Sequence, residues 1–316
     1  MAGLTLTLDS ERSLPAPSAI PAVSVVIPTY RRGRVLLSTI DYLTQQASAE
    51  DEVLVIDQTE QHDSSTAKRL KALDEHGVIR WLRQRQPSVT GAMNKGLIEA
   101  RREIVLFIDD DIKPEPGFLA AHRDAHRNGC GTLVAGRVIQ PWEEAASISA
   151  RYVSPFSGVE PAWIVEFMGG NFSIRRRLAM ELGGFDQNFV HVAYRFEAEF
   201  AHRFRAAGGQ IYFEPRACLH HLRVASGGTR SYGAHMTTAK PSHATGAYYF
   251  ALRTASLGHV IGQFVSRPVH AITTRHHLWH PWWIPVTLFA EVRGMWWALR
   301  LHRKGPQLIG TSGHVS

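Results

Sequence analysis

From Val23 onward the chain alternates short apolar runs with longer stretches whose apolar residues recur every three or four positions. VSVVIP (23–28), VLVID (53–57), VIRWL (78–82), IVLFI (104–108) and TLVAGRVI (132–139) are rich in β-branched and aliphatic residues and read as buried strands. Between the first two, the stretch from Arg34 to Gln46 sets Val35, Leu36, Ile40 and Leu43 on one helical face. Stretches 64–76, 91–101 and 116–128 continue the alternation. Strands separated by helices predict an α/β fold with an open, mostly parallel sheet flanked by helices. Ligands of such sheets bind beyond the carboxyl ends of the strands, where Thr29, Asp57 and Asp109 to Asp111 all fall.

Beyond residue 140 the pattern predicts a strand NFSIR (171–175) followed by a short helix, then a helix over 197–207 stopped by Gly208-Gly209. Two short strands follow, QIYFE (210–214) and ACLHHL (217–222), either side of Pro215. A last helix is expected from Val286 to Leu301.

The 316 residues are 44% hydrophobic and 20% charged, a globular composition with length enough for one large core and an appendage. Residues 1–22, rich in Pro, Ser and Ala, read as a flexible leader; they lack the basic and apolar regions of a signal peptide. No uninterrupted apolar run reaches membrane-spanning length, so a cytoplasmic protein is expected. Cys130 and Cys218 have neither metal nor redox spacing and read as buried thiols. The net charge of +7 is concentrated late. From Pro241 on, Arg253, Arg267, Arg275, Arg293, Arg300, Arg303 and Lys304 face a single anion, Glu291. Basic residues mixed with Trp279, Trp282, Trp283, Trp296 and Trp297 make residues 278–304 a candidate for an anionic membrane surface at the inner face; packing onto the main domain is the alternative. Nucleic acid is suggested by charge alone.

The chemistry concentrates after the fourth strand, in EIVLFIDDDIK (103–113). Three adjacent carboxylates repel one another and call for a positive partner. At a sheet's carboxyl edge they suit a hard divalent ion, Mn2+ or Mg2+, that carries a substrate's phosphates. A dinucleotide-binding domain would need GxGxxG after the first strand, where this chain has IPTYRR.

VSVVIPTYRR, VLVID, GAMNKG and VLFIDDD, followed by GGNFSIRR, GGFDQNF, YRFEAEFAHRFRAAGG and IYFEPRACLHH, resemble in this order the family 2 glycosyltransferases. The resemblance covers about residues 23–231. Residues 232–316, beyond its reach, read as a helical, basic, tryptophan-rich extension, while the resemblance implies a GT-A fold with 23–140 binding a nucleotide sugar and 141–231 binding an acceptor. It further implies that Pro28, Thr29, Tyr30 and Asp57 hold the base and ribose, Asp57 accepting from a uracil imide. Asn94, Asp109, Asp110 and Arg230 join the nucleotide-sugar site, while Asp111 and His221 hold the metal. His220 is the rival of His221, since alternation turns the two to opposite faces. Gly169, Gly170, Asn171, Trp163 and Glu199 are expected around the donor sugar and acceptor, and Glu197 as the base of an inverting displacement. Two positions depart from the family pattern: Phe196 stands where a second carboxylate is common, and Met93 where an arginine is. The expected activity is transfer from a nucleoside diphosphate sugar, UDP favoured, to a hydroxyl of a glycan, a lipid-linked or a small-molecule acceptor. The alternative is a non-catalytic module of the same fold that binds nucleotide or membrane.

Overall fold

The computed structural model describes residues 21–129, 133–145, 156–233 and 236–310; most of the expected leader, and Cys130, lie outside them. The strands are β1 (Val23–Thr29), β2 (Glu52–Asp57), β3 (Arg80–Arg83), β4 (Ile104–Ile108), β5 (Ile112–Pro114), β6 (Leu133–Ile139), β7 (Ala162–Ile164), β8 (Asn171–Arg175) and β9 (Ile211–His221). They form one sheet in the order β3-β2-β1-β4-β8-β6-β9-β5, with β7 also paired to β9. The first four run parallel; β8 is antiparallel to both β4 and β6, and β9 is parallel to β6. Helices α1 (Arg34–Thr44), α2 (Ser64–Glu75), α3 (Val89–Glu99) and α4 (Phe118–Arg127) alternate with the strands, as the apolar periodicity predicts.

Alternate residues of the parallel strands feed two cores. Val26, Leu54, Ile56, Val105 and Phe107 point into one, and Val25, Ile27, Val55, Leu106 and Ile108 into the other. Burial on both faces is why these strands read as continuous apolar runs. The larger core is filled by Phe172, Phe185 and Phe200, each worth about 1.5–3 kcal/mol of burial.

The two strands expected around Pro215 are one continuous strand. Its pairing with β6 shifts between Gly136 and Arg137, so Pro215 falls in an irregularity where no ladder donor is needed. Two very short strands, β5 and β7, carry no periodic signal and were not expected.

Later helices are α5 (Pro141–Ala145), α6 (Arg176–Glu181), α7 (Phe196–Ala206), α8 (Ser242–Thr254), α9 (Leu257–Ile272), α10 (Arg275–Trp279) and α11 (Ile284–Lys304). Tyr248 and Tyr249 of α8 and Ala298 of α11 lie in the same core as Phe172 and Phe185. Gly294 lets α11 approach α8 closely, since a Cβ there would meet that of Ala244 at 2.4 Å. Among the described residues, no helix is long and apolar enough to cross a membrane.

Candidate active site

The carboxyl ends of β1 and β4 open into a cleft of about 260 Å3. Its floor is the acidic triplet. Asp110 is buried and accepts from the Thr29 hydroxyl at 2.7 Å. Burial pushes its carboxyl up to about 7, against the pull of Arg32 and Thr29. Asp111 is buried too, but ends with a lowered pKa: its burial is outweighed by His221, Arg32 and the Val224 amide. Burial raises Asp109, and His221 opposes it.

The positive partner already present is Arg32, which the sequence reading missed. Its guanidinium lies 3.2 Å from Asp110 Oδ1 and 3.1 Å from Asp111 Oδ2. It also donates to the Val224 carbonyl at 3.3 Å and to that of Ser226. Arg230 adds a second cation, 3.6 Å from Asp111. The loop that carries Arg230 lies against the end of β1, where the Gly228 amide donates to the Tyr30 carbonyl at 2.7 Å.

Antiparallel pairing of β5 with β9 sets Ile112 opposite His221. His221 Nε2 therefore lies 3.3 Å from Asp111 Oδ1 and 3.9 Å from Asp109 Oδ2. Ligand atoms of Asp109, Asp111 and His221 all fall within 4.8 Å of one another. His220 faces the other way and pairs with Glu115 at 2.5 Å. Gln140 Oε1 lies 3.1 Å from His221 Nδ1; when that nitrogen carries the proton, Nε2 is left to ligate. Two carboxylate oxygens and one imidazole suit Mn2+ or Mg2+ and leave positions for phosphate oxygens. The residues fit such an ion.

Across the cleft, Glu197 stands in the first turn of α7, at the start of the helix expected from residue 197. Burial, reinforced by Asp109, pushes its pKa up to about 7. Gly169 and Gly170 are glycines because nothing larger fits. A Cβ on Gly169 would sit 2.7 Å from Phe196 Cζ and 2.9 Å from Glu197 Oε1, and one on Gly170 2.3 Å from Asp109 Oδ2. Glu197, Met168 and Val192 also face a second groove, lined by Glu166, Tyr194 and Arg195. The intervening segment is strained: His191, Ala193 and Arg195 have φ of 58°, 49° and 73°. It is held by α8, because Gly246 packs against the Tyr194 carbonyl and Arg195 lies 4.5 Å over the Phe250 ring while pairing with Glu166.

Several expected site residues lie elsewhere. Asp57 is fully buried and its oxygens are taken: Oδ1 by the Thr59 amide, and Oδ2 by His62, Trp81 Nε1 and Arg83 at 2.8–2.9 Å. These partners overcome its burial and keep its pKa low, and Asp57 is not among the residues that line the cleft. Its neighbour Gln58 lines the cleft instead. Asn94 exchanges two 2.7 Å hydrogen bonds with the Phe185 backbone and is part of the core scaffold. Asn171 is buried, bonded to His122 and to the Arg137 and Ala217 carbonyls. Glu199 is buried between Arg203 and Arg253, away from the cleft. Trp163 stands exposed on β7, edge-on to Tyr212. Pro28, Thr29 and Tyr30 line the cleft as expected, and Met93 and Phe196, the two departures, form part of its apolar wall. His191 and Tyr232, with rings 4.8 Å apart, complete a rim that no motif announced.

A family model described as "Glycosyl transferase family 2" matches residues 24–183. A curated relative, the GalNAc(5)-diNAcBac-PP-undecaprenol beta-1,3-glucosyltransferase of Campylobacter jejuni, is 24% identical over 179 residues. The match takes in 54% of this chain and about half, 56%, of that relative. Among solved structures, S. aureus TarS 1–349 in complex with UDP-GlcNAc has a TM-score of 0.56 at 13% identity, covering 93% of this chain and 98% of that one. The mannosyltransferase PcManGT of Pyrobaculum calidifontis, in complex with GDP-Man and Mn2+, has a TM-score of 0.53 at 19% identity, covering 92% and 81%. GalNAc-T7 with UDP, GalNAc and Mn2+ also reaches 0.53 at 16% identity, covering 65% of this chain and 44% of its own.

Proposed function

The chain belongs to glycosyl transferase family 2 and has the GT-A fold, and on that premise we propose that it transfers a sugar from a nucleoside diphosphate donor to a hydroxyl with inversion. The observation that carries this reading is Glu197: a carboxyl with a pKa near 7, held across one cleft from the Asp109–Asp111–His221 cluster. A general base works best when its pKa lies near the working pH.

In the proposed reaction the diphosphate lies over Asp111 and His221, with Arg230 and the 226–230 loop beside it. The acceptor enters from the second groove, so that its hydroxyl meets Glu197. Glu197 takes the hydroxyl proton as the acceptor oxygen bonds to the anomeric carbon from the face opposite the donor. The bond from that carbon to the diphosphate oxygen breaks, and the diphosphate leaves with the electron pair. A divalent cation at Asp109, Asp111 and His221 would offset the charge that gathers on this leaving group. Gly169 and Gly170 let donor and acceptor come close to the backbone.

With the Asp57 carboxylate occupied, a uridine donor is supported by two of the three neighbours, solved with UDP or UDP-GlcNAc, against one solved with GDP-Man. The C. jejuni relative acts on an undecaprenol-linked glycan, which makes a lipid-linked acceptor the first class to test. A non-catalytic module is disfavoured, because both the acidic cluster and the base are kept. The test is Glu197→Gln: diphosphate release from a UDP-sugar should fall by about 100-fold or more while UDP affinity in Mn2+ is unchanged. Equal release by both proteins would refute the base assignment. Thermal shifts for UDP, GDP and dTDP, with Mn2+ and with EDTA, settle nucleotide and metal separately.

A further inference from the structure

Helix α9 turns an uncharged apolar face to solvent. Leu257, Ile261, Val265 and Val269 follow one another at every fourth position and are 55–75% exposed. A Cβ placed on Gly258 or Gly262 would meet nothing within 4 Å, so these glycines lie in the open as well. The helix contains no Asp, Glu or Lys, and its one arginine, Arg267, turns inward to Glu291 at 3.2 Å. A surface helix ordinarily sends its charges outward. Here the order is inverted, and an exposed apolar stripe of this length marks a docking face.

Charge decides the occupant. From Pro241 to the end seven Lys and Arg residues face one anion, Glu291, which is buried against Arg267 and the Tyr248 hydroxyl. The segment that carries the stripe therefore has no exposed carboxylate, while Arg275, directly after α9, stands exposed. A second copy docking face to face would bring like charges together, which costs affinity. An anionic lipid surface meets both properties at once, apolar depth and negative headgroups. Just beyond α9, Leu278, Trp279 and Trp282 are 64–78% exposed, and tryptophan is a residue of membrane interfaces. No described helix is long and apolar enough to span, so the contact has to lie along the surface.

We infer that the α9 face, Leu257 to Val269, docks the enzyme in the plane of an anionic membrane, and that its acceptor is an amphiphile presented from that surface. Such a contact was expected in residues 278–304, where Phe289, Val292 and Trp296 are also exposed; the solvent-facing stripe of α9 adds a further apolar face ahead of it. The route from dock to base is short. Phe264 of α9 packs on Tyr248 of α8 with ring centroids 4.7 Å apart, and Gly246 and Phe250 of α8 pack against the strained segment that precedes Glu197. Between α9 and that segment lies a cavity of about 320 Å3 whose walls include Tyr194, Lys240, Arg267 and His270. The amphiphilic acceptor rests on the transferase reading; the docking does not.

The test is flotation of the full chain with vesicles, without donor or metal. Wild type should float with mixed phosphatidylglycerol–phosphatidylcholine vesicles and bind pure phosphatidylcholine at least tenfold more weakly. Ile261→Glu/Val265→Glu should lose at least tenfold of the binding to anionic vesicles, with an unchanged melting temperature showing that the fold is intact. Three results would overturn the inference: no flotation of wild type, flotation of the double variant equal to wild type, or a wild-type dimer in sedimentation that the double variant dissociates. Failed transfer with retained flotation would sink the transferase reading and leave the docking standing.

Discussion

Arg32 and Asp111 form a buried ion pair, 3.1 Å apart, at the floor of the cleft, and the same guanidinium reaches Asp110. Three carboxylates in a row are tolerated because Arg32, His221 and Arg230 surround them. Removing one partner of a buried pair leaves an uncompensated charge, at a cost of about 3–5 kcal/mol. Arg32→Met should therefore lower the melting temperature strongly in EDTA. Mn2+ should restore more of the loss in the variant than it adds to wild type, as measured by differential scanning fluorimetry.

The adjacent glycines should separate binding from chemistry. A methyl group on Gly170 would press on Asp109, so Gly170→Ala should weaken UDP binding in Mn2+ by at least tenfold in calorimetry. A methyl group on Gly169 presses on Phe196 and Glu197 instead, so Gly169→Ala should reduce kcat with UDP affinity little changed. Identical phenotypes for the two would contradict the assigned geometry.

The raised Glu197 sets the pH profile. Its pKa of about 7 means the base is protonated and idle below that pH and ionised above it. The rate should rise about tenfold per pH unit below 7 and level off above, and Glu197→Gln should lack that limb. The sign for stability is opposite. The folded state holds this proton more tightly than the unfolded chain, so the Glu197 contribution is full below about 4.5 and is lost as pH rises through about 7.

Asp57 should behave as a structural carboxylate. Asp57→Ala would leave the His62, Trp81 and Arg83 donors without their shared acceptor, costing about 2–4 kcal/mol in chemical denaturation. The ranking of UDP over GDP should survive. A reversed ranking would return Asp57 to the base-reading role that the family resemblance implied.

The two kinds of information divide along range. Strand and helix periods are set by neighbours a few residues apart, so β1, β2 and β4, the helices between them and the acidic edge could all be read from the chain. The motif order also placed Asp109, Asp111, Glu197, Gly169 and Gly170 around one cleft. What could not be read were partners distant in sequence. The β5–β9 register chose His221 over His220, and the fold of the β1 loop brought Arg32 onto Asp110 and Asp111, 78 and 79 residues away. The same holds for Asp57, whose position at a strand end was correctly read but whose oxygens are claimed by His62, Trp81 and Arg83. The apolar stripe of α9 looks in sequence like any helix face seeking a core. Only packing against α8 and α11 shows that its other side, through Phe264 and Arg267, is the one turned to the protein, because a period of 3.6 marks an apolar face without saying what covers it.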